Sequence, residues 1–304
     1  MEHQHSDNAG WARENGYEFQ AESEGAISEG ARSLDIFGKA DGFRDHVVGV
    51  HRNRPFEILD VRKEVHRGGN FGFVERTVIL IPAAGLALPN FELLPRREAG
   101  GLGFLGIKGL DLKLDANAPR DELQLVAGFN KNFLLFAGGA HEAMEAAITS
   151  AEHLVPGLAE MAAICKPGVL RFLAGITTGT IELQNGFLAV RAPDTRVTAG
   201  IFYDTILEGQ ARETLLTVAN DLLDVLQNAS REAPLRGLTL ESTFHPSHMI
   251  GGLVGAAIGF FLGFLLGFPL LFLIGKKFFL LIPVLALGGA ALGNWIGKRL
   301  MRSK

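Results

Sequence analysis

The stretch TIELQNGFLAVRA, residues 180–192, decides the fold that the sequence predicts. Asn185-Gly186 is a preferred pair for a two-residue type I′ turn, because both central residues of that turn need a positive φ. A turn at this point sets two apolar pairs opposite each other, Ile181 with Val190 and Leu183 with Leu188. All four side chains then share one face, as the two-residue period of a strand requires. The stretch therefore predicts a β-hairpin with one buried face.

Strand patterns precede this hairpin, and helical patterns lie on both sides of it. The predicted strands are 56–65, 73–82, 88–95, 110–116 and 129–137. Two helices are predicted. The first spans 141–155 and continues into the segment LAEMAAI, and the second spans about 204–228 and is capped by Asp204 or Thr205. Strands and helices without regular βαβ alternation indicate an α+β fold. We expect a mixed or antiparallel sheet with two main helices over residues 16–230.

The flanking segments are predicted to be less ordered. Residues 1–15 are polar and are expected to form a disordered tail. Residues 231–248 contain Pro234, Pro246 and several hydroxyl side chains, and are expected to form a linker.

Two long uncharged runs follow that linker. Residues 250–274 form a run of 25 residues and residues 278–296 a run of 19, separated by Lys276 and Lys277. At about 1.5 Å of helical rise per residue, each run approaches or exceeds the roughly 30 Å of a bilayer core. The pattern predicts a transmembrane helical hairpin over residues 249–297.

Glycines recur at every fourth position in both runs. They are Gly251, Gly255, Gly259, Gly263 and Gly267 in the first run, and Gly289, Gly293 and Gly297 in the second. Residues four apart lie on one side of a helix, so each set forms a groove that allows close helix packing in lipid. This glycine zipper predicts packing within the hairpin or a homo-oligomer. Two alternatives are a hydrophobic core hairpin in a soluble protein and a self-inserting pore, although neither run carries a polar residue before Asn294.

Charges around the hairpin predict its orientation. The basic residues are Lys276 and Lys277 in the loop and Lys298, Arg299, Arg302 and Lys304 in the tail, residues 298–304. Arg231 and Arg236 precede the first run. Because cytoplasmic flanks carry the excess of Lys and Arg, both the α+β domain and the tail are expected in the cytoplasm. The N-terminal residues also lack the apolar segment of a secretory signal.

Composition and motifs supply no convincing catalytic, cofactor or metal site. The net charge of −4 gives no basic field for nucleic acid, and the single Cys165 excludes an internal disulfide. GLGFLG at 101–106 fits a dinucleotide loop, but a strand-like segment follows where a helix is needed. HEAME at 141–145 lacks the second histidine of a zinc helix, and His245 with His248 fits an interfacial linker as well as a metal or pH site. Cys165 is expected to be a buried structural thiol.

Several blocks carry a resemblance to a known family. These are VVGVHRNRPFEILDV, ERTVILIPAAGLALPNFELLPRR, FNKNFLLFA and VLRFLAGITTGTIELQNGFLAVRAP, followed by an amphipathic helix. Over roughly residues 35–228 the chain resembles a family of uncharacterised bacterial membrane-associated proteins, a domain of unknown function. The resemblance implies a bacterial, membrane-associated protein and supplies no active-site residues.

The sequence thus predicts a membrane-anchored, non-enzymatic interaction or scaffold protein of the bacterial inner membrane. Its partners would be the bilayer, a protein not identified by the sequence and a second copy of the chain. The alternative is a membrane-tethered enzyme whose site is built from scattered polar residues. Asp60, Arg62, Glu64 and His66 alternate on one strand face and are the candidates, although a solvated sheet face fits them equally well.

Overall fold

A ten-stranded antiparallel sheet organises the part of the chain that the computed structural model describes. The described residues are 2–22, 27, 29–37, 40–67, 70–86, 88–98, 109–137, 161, 164–193, 206–229 and 231–242. The strands are β1 (Glu18–Glu22), β2 (Gly42–His51), β3 (Arg54–Arg67), β4 (Asn70–Pro82), β5 (Phe91–Pro95), β6 (Leu110–Lys113), β7 (Phe133–Ala137), β8 (Ile181–Gln184), β9 (Phe187–Arg191) and β10 (Thr239–Ser242). Their order across the sheet is β1-β2-β3-β4-β9-β8-β5-β7-β6-β10.

Five α-helices accompany the sheet among the described residues. They are α1 (Glu2–Glu14), α2 (Glu29–Arg32), α3 (Arg120–Asn132), α4 (Pro167–Gly175) and α5 (Gly209–Ala229). A short 3₁₀ helix spans Asp35–Phe37. The α+β class predicted from the sequence is confirmed, and the sheet is antiparallel. No helix in this described part is long and apolar enough to span a bilayer.

The central hairpin has the predicted register. Ile181 pairs with Val190 and Leu183 with Leu188. Asn185 and Gly186 have φ values of 52° and 77°, as a type I′ turn requires. The hairpin lies inside the sheet, with β9 beside β4 and β8 beside β5. It therefore joins the N-terminal strands to the rest of the sheet.

Apolar side chains cover both faces of the sheet. The main core receives Phe129 from α3, Leu170 from α4 and Leu216 from α5. A smaller core on the other face contains Leu34 and Phe37. Strand β4 contributes alternately, with Ile79 and Ile81 in the first core and Val78 and Leu80 in the second. Burial on both faces explains why the sequence VILI in β4 is continuously apolar.

The predicted strands are largely correct, with one clear error. Strands β3 and β4 contain the predicted segments 56–65 and 73–82, whereas β5 and β6 are shorter than predicted. The strand predicted over 129–137 is wrong at its start, because residues up to Asn132 belong to α3. Val126 and Phe129 are buried three residues apart on that helix. A short apolar run does not distinguish a strand from the end of a buried helix.

The N-terminal tail prediction is also wrong. Residues 2–14 form α1, whose Trp11 and Ala12 are buried in the main core. Buried Trp11 and Ala12 dock this otherwise polar helix on the core. Likewise, the predicted linker contains β10, which pairs with β6, and Leu240 is buried there.

The helix predicted over about 204–228 is present, but it begins later than predicted and buries a different set of side chains. Helix α5 begins at Gly209 instead of near residue 204. The apolar residues spaced three or four apart, such as Leu207, Ala211 and Leu215, predict that Ala211 faces the core. Ala211 is exposed, however, whereas Arg212 beside it is completely buried. The proposed caps Asp204 and Thr205, the helix at 141–155 and residues 243–304, with their glycine zipper, lie outside the described residues.

Candidate functional site

A buried arginine and two buried carboxylates form the most polar cluster of the main core. Arg212 is 0% exposed, Asp60 3% and Asp45 2%. They come from α5, β3 and β2, respectively. A buried charge destabilises the folded state unless it is paired and hydrogen-bonded. The partners of these three side chains therefore decide whether the cluster is stable.

Asp45 reaches the cluster through a β-bulge. The β2–β3 register shifts between Arg44, opposite Asp60, and Val47, opposite Ile58. Three steps along β2 therefore match two along β3, which leaves one extra residue in β2. Asp45 has a φ of 47°, in the left-handed region that Asp tolerates better than most side chains. The bulge turns both Asp45 and His46 into the protein, and His46 Nε2 lies 2.9 Å from Glu57 Oε2.

Asp60 is held by one ion pair and one hydroxyl. Arg212 Nη2 donates to Asp60 Oδ2 at 2.6 Å, and Thr77 Oγ1 donates to Asp60 Oδ1 at 2.6 Å. Thr77 lies directly opposite Asp60 in the β3–β4 register, which explains the contact. Thr77 Oγ1 also accepts the backbone N–H of Leu207 at 2.8 Å. Both carboxylate oxygens of Asp60 therefore have a donor.

Arg212 also binds two backbone carbonyls. Its Nε donates to the carbonyl of Leu207 at 2.7 Å, and its Nη1 to the carbonyl of Asp45 at 3.2 Å. Its Nη2 lies 3.7 Å from Asp45 Oδ2, which completes a second ion pair. The planar guanidinium thus connects β2, β3 and the segment before α5, which a single point charge would do less well.

Helix α1 joins the same cluster through Asn8. Asn8 Nδ2 donates to Asp45 Oδ2 at 2.6 Å, and Asn8 Oδ1 accepts the N–H of Gly209 at 3.4 Å. Gly209 is the first residue of α5, where backbone N–H groups lack helical partners. We call Asn8, Asp45, Asp60, Thr77 and Arg212 the polar clamp. It fastens the N-terminal helix, three strands and the last helix to one another.

The electrostatics of the clamp are uneven, because one guanidinium faces two carboxylates. The pKa of Asp60 is raised from its usual 3.8 to about 6, chiefly by burial; Arg212 and the Thr77 hydroxyl lower it, and the nearby Asp45 raises it. A perturbed carboxyl of this kind is common at catalytic sites and also in structural ion-pair networks. Here the carboxyl is enclosed and both oxygens are engaged, which is the arrangement of a structural network.

The raised pKa of Asp60 predicts a pH dependence of stability. Because the folded state favours protonated Asp60, this stabilisation is fully present below pH 3.8 and is lost as the pH rises through about 6. The free energy of unfolding of the wild type, minus that of Asp60→Asn, should fall by about 2 kcal/mol between pH 4 and 7.5. Urea unfolding across this range measures the difference. The exposed Asp121→Asn should give a much flatter difference, and a flat curve for Asp60→Asn would contradict the assignment.

The four polar residues predicted along β3 do not converge on a cleft. Asp60 belongs to the polar clamp, and Arg62 lies 3.8 Å from Glu75 through its Nε on the open part of the sheet. Glu64 is exposed, and His66 lies farther along the strand, opposite Phe71. Successive members are separated by about 6.6 Å along the strand. They form a row along β3, of which Asp60 lies in the core.

Of the remaining candidates, Cys165 is placed by the structure as expected. It is buried, and burial raises the pKa of its thiol to about 12, which leaves little reactive thiolate at neutral pH. The segments 101–106 and 141–145, the pair His245 and His248, the zipper glycines and the basic membrane flanks all lie outside the described residues. Within the described ranges, no group of three or more His, Cys, Asp or Glu side chains is arranged to hold a metal ion.

Sequence reasoning missed Asn8, Asp45, Thr77 and Arg212. The available signal was in α5, where Arg212 occupies the same helical stripe as Leu216, Ala219 and Leu223. A charge within an apolar stripe implies a buried partner. Nothing in the sequence identified that partner, because the residues that contact Arg212 lie more than 130 positions away, apart from Leu207.

Comparison with known proteins gives one distant structural neighbour. No family model matches the chain, and no curated protein matches it. A solved structure similar to it is the crystal structure of the mycobacterial trehalose monomycolate transport factor A, TtfA, with a TM-score of 0.41 and 14% sequence identity. The alignment covers 76% of this chain and 97% of that one. A similarity of this extent establishes neither a shared fold nor a shared activity.

Proposed function

We propose that the chain is a membrane-anchored interaction protein of the bacterial inner membrane, with its α+β domain in the cytoplasm. The observation that carries the proposal is the pair of uncharged runs at 250–274 and 278–296. A helix that is apolar all round over such a length is typical of a bilayer span. The glycines of both runs would pack the two helices closely.

The domain itself supports a binding role rather than a catalytic one. The polar clamp engages its buried charges with one another, so a substrate would have to open the core to reach Asp60 or Arg212. The N-terminal helix is tied into the same core, and strand β10 ends at Ser242, shortly before the first uncharged run begins at Ile250. A stable module attached directly to a membrane hairpin suits a protein that holds a partner at the membrane surface.

Alkaline carbonate extraction of membranes tests the anchor. The full chain should stay in the membrane pellet, because carbonate removes peripheral proteins but leaves bilayer-spanning helices in place. A chain that ends at His245 should be released into the supernatant and remain folded, as shown by circular dichroism.

A matched truncation separates the hairpin from its basic tail. A chain that ends at Gly297 keeps both apolar runs but lacks Lys298 and the residues after it, and it should stay in the pellet. Release of the full chain by carbonate would sink the proposal, since the runs would then pack inside the protein or its assembly.

A further inference from the structure

We propose a second site, independent of the membrane anchor: a basic cavity between the ends of α3 and α4 that binds a phosphate ester. The cavity has a volume of about 240 Å³. The end of β5, the C-terminal ends of α3 and α4, and the residues that follow α4 form its walls. Since a water molecule occupies about 30 Å³ of liquid, the space exceeds what a few waters need.

The charged side chains among the described lining residues are both positive. They are Arg97 and Lys131, and no Asp or Glu of the described ranges lines the cavity. Both side chains are exposed, and within the described residues neither forms an ion pair. Arg97 Nη2 donates to the carbonyl of Thr178 at 3.4 Å, a long contact that leaves its other N–H groups available. Two neighbouring cations without a carboxylate favour an anionic ligand.

The C-terminal ends of α3 and α4 carry a partial negative charge from their free carbonyls, which opposes the positive charge of the lining. This opposition is incomplete, because some of these carbonyls already accept hydrogen bonds from the protein. Asn132 Nδ2 donates to the carbonyl of Ala174 at 3.2 Å, near the end of α4. The carbonyl of Asn132, at the end of α3, accepts the N–H of Arg96 at 2.9 Å. The lysine at the end of α3 also offsets the negative end of the helix dipole.

Thr178 provides an independent observation. Thr178 is 2% exposed, it belongs to the cavity wall, and its Oγ1 has no hydrogen-bond partner in the part of the chain that the structure describes. Buried hydroxyls are nearly always hydrogen-bonded, so an unpartnered one beside a cavity needs an explanation. A phosphate oxygen that accepts a hydrogen bond from this hydroxyl, with Arg97 and Lys131 donating to the other oxygens, would explain it.

The size and the lining define the ligand as a phosphate with an organic substituent. Inorganic phosphate alone would leave most of the cavity unfilled. Phe133 and Ile176 in the wall offer apolar contact to an attached carbon chain. A lipid headgroup and a soluble phosphate ester share this chemistry, and the experiment separates them.

Calorimetric titration of the full chain in neutral detergent micelles tests the site. The two probes are glycerol 3-phosphate and dihexanoyl phosphatidic acid, which share the phosphate and differ in the acyl chains. At least one should bind. Arg97→Gln and Lys131→Gln should each weaken that binding about tenfold, because each removes a charge-assisted contact. Thr178→Val, which keeps the side-chain shape, should weaken it several-fold.

Arg120→Gln is the matched control, because Arg120 is an exposed cation at the opposite end of α3. It should bind like the wild type, and all variants should keep the wild-type unfolding midpoint.

Tighter binding of the phosphatidic acid would assign the site to a lipid headgroup, and equal or tighter binding of glycerol 3-phosphate would assign it to a soluble ester. No binding of either probe, or unchanged affinity in the Arg97 and Lys131 variants, would overturn the proposal. Because the titration needs no bilayer, its result is separate from that of the carbonate extraction.

Discussion

Arg212→Met should lower the free energy of unfolding by about 3–5 kcal/mol at pH 7.5, the range found when one partner of a buried ion pair is removed. Methionine fills much of the space of the arginine stem but donates no hydrogen bond. Asp60 and Asp45 would then remain buried without their shared guanidinium, and the carbonyls of Leu207 and Asp45 would each lose a donor. Urea denaturation followed by circular dichroism measures the loss.

Three comparisons make this prediction specific to the polar clamp. Arg231→Met removes an exposed arginine and should change stability by less than about 0.5 kcal/mol. The double variant Arg212→Met with Asp60→Asn should recover part of the loss, because one unpaired charge is removed as well. The cost of Arg212→Met should also be smaller at pH 5, where Asp60 is mostly protonated. A loss below about 1 kcal/mol at pH 7.5 would show that the clamp contributes little to stability.

Trp11→Ala should cost about 3–5 kcal/mol, as large-to-small aromatic substitutions in cores do. Trp11 is 8% exposed and packs edge-on against Tyr17, with ring centroids 5.5 Å apart. Tyr17 in turn packs edge-on against Phe56 of β3 at 4.9 Å. The substitution would open a cavity between α1 and the sheet. Thermal or urea unfolding measures the effect.

The same experiment distinguishes a docked helix from a polar tail. Trp11→Phe keeps an aromatic ring and should cost clearly less than Trp11→Ala. Arg13→Ala, two positions along the same helix and exposed, should be close to neutral. If the alanine variants at both positions were neutral, the N-terminal segment would contribute nothing to the free energy of unfolding. The disordered tail predicted from the sequence would then be correct.

Local signals explain the correct part of the sequence reading. The Asn185-Gly186 turn fixes the register of its own hairpin, since two residues determine the turn and the strand period determines the rest. The long strands β3 and β4 carry enough apolar residues to be recognised without knowledge of their neighbours. These features depend on contacts within about a dozen residues along the chain.

The missed part depends on contacts between distant residues. Whether the polar segment around Trp11 forms a helix depends on Tyr17, and on Asn8 meeting Asp45 and Gly209. The β-bulge that turns Asp45 inward contains no glycine or proline, so the sequence gives no local signal for it. Arg212 is buried because β2, β3 and the segment before α5 supply its partners. A pattern within a short window does not contain this information, which is why the polar clamp was found only in the structure.

The polar clamp also imposes an order on folding during synthesis. Asp60 and Arg212 are 152 positions apart, so at the usual elongation rate of about 5–20 residues per second the guanidinium follows its carboxylate by roughly 8–30 s. Throughout this interval the nascent N-terminal half carries Asp45 and Asp60 without their cation and must leave these carboxylates in water. The first helix and strands therefore close around the clamp only after the last helix has been synthesised.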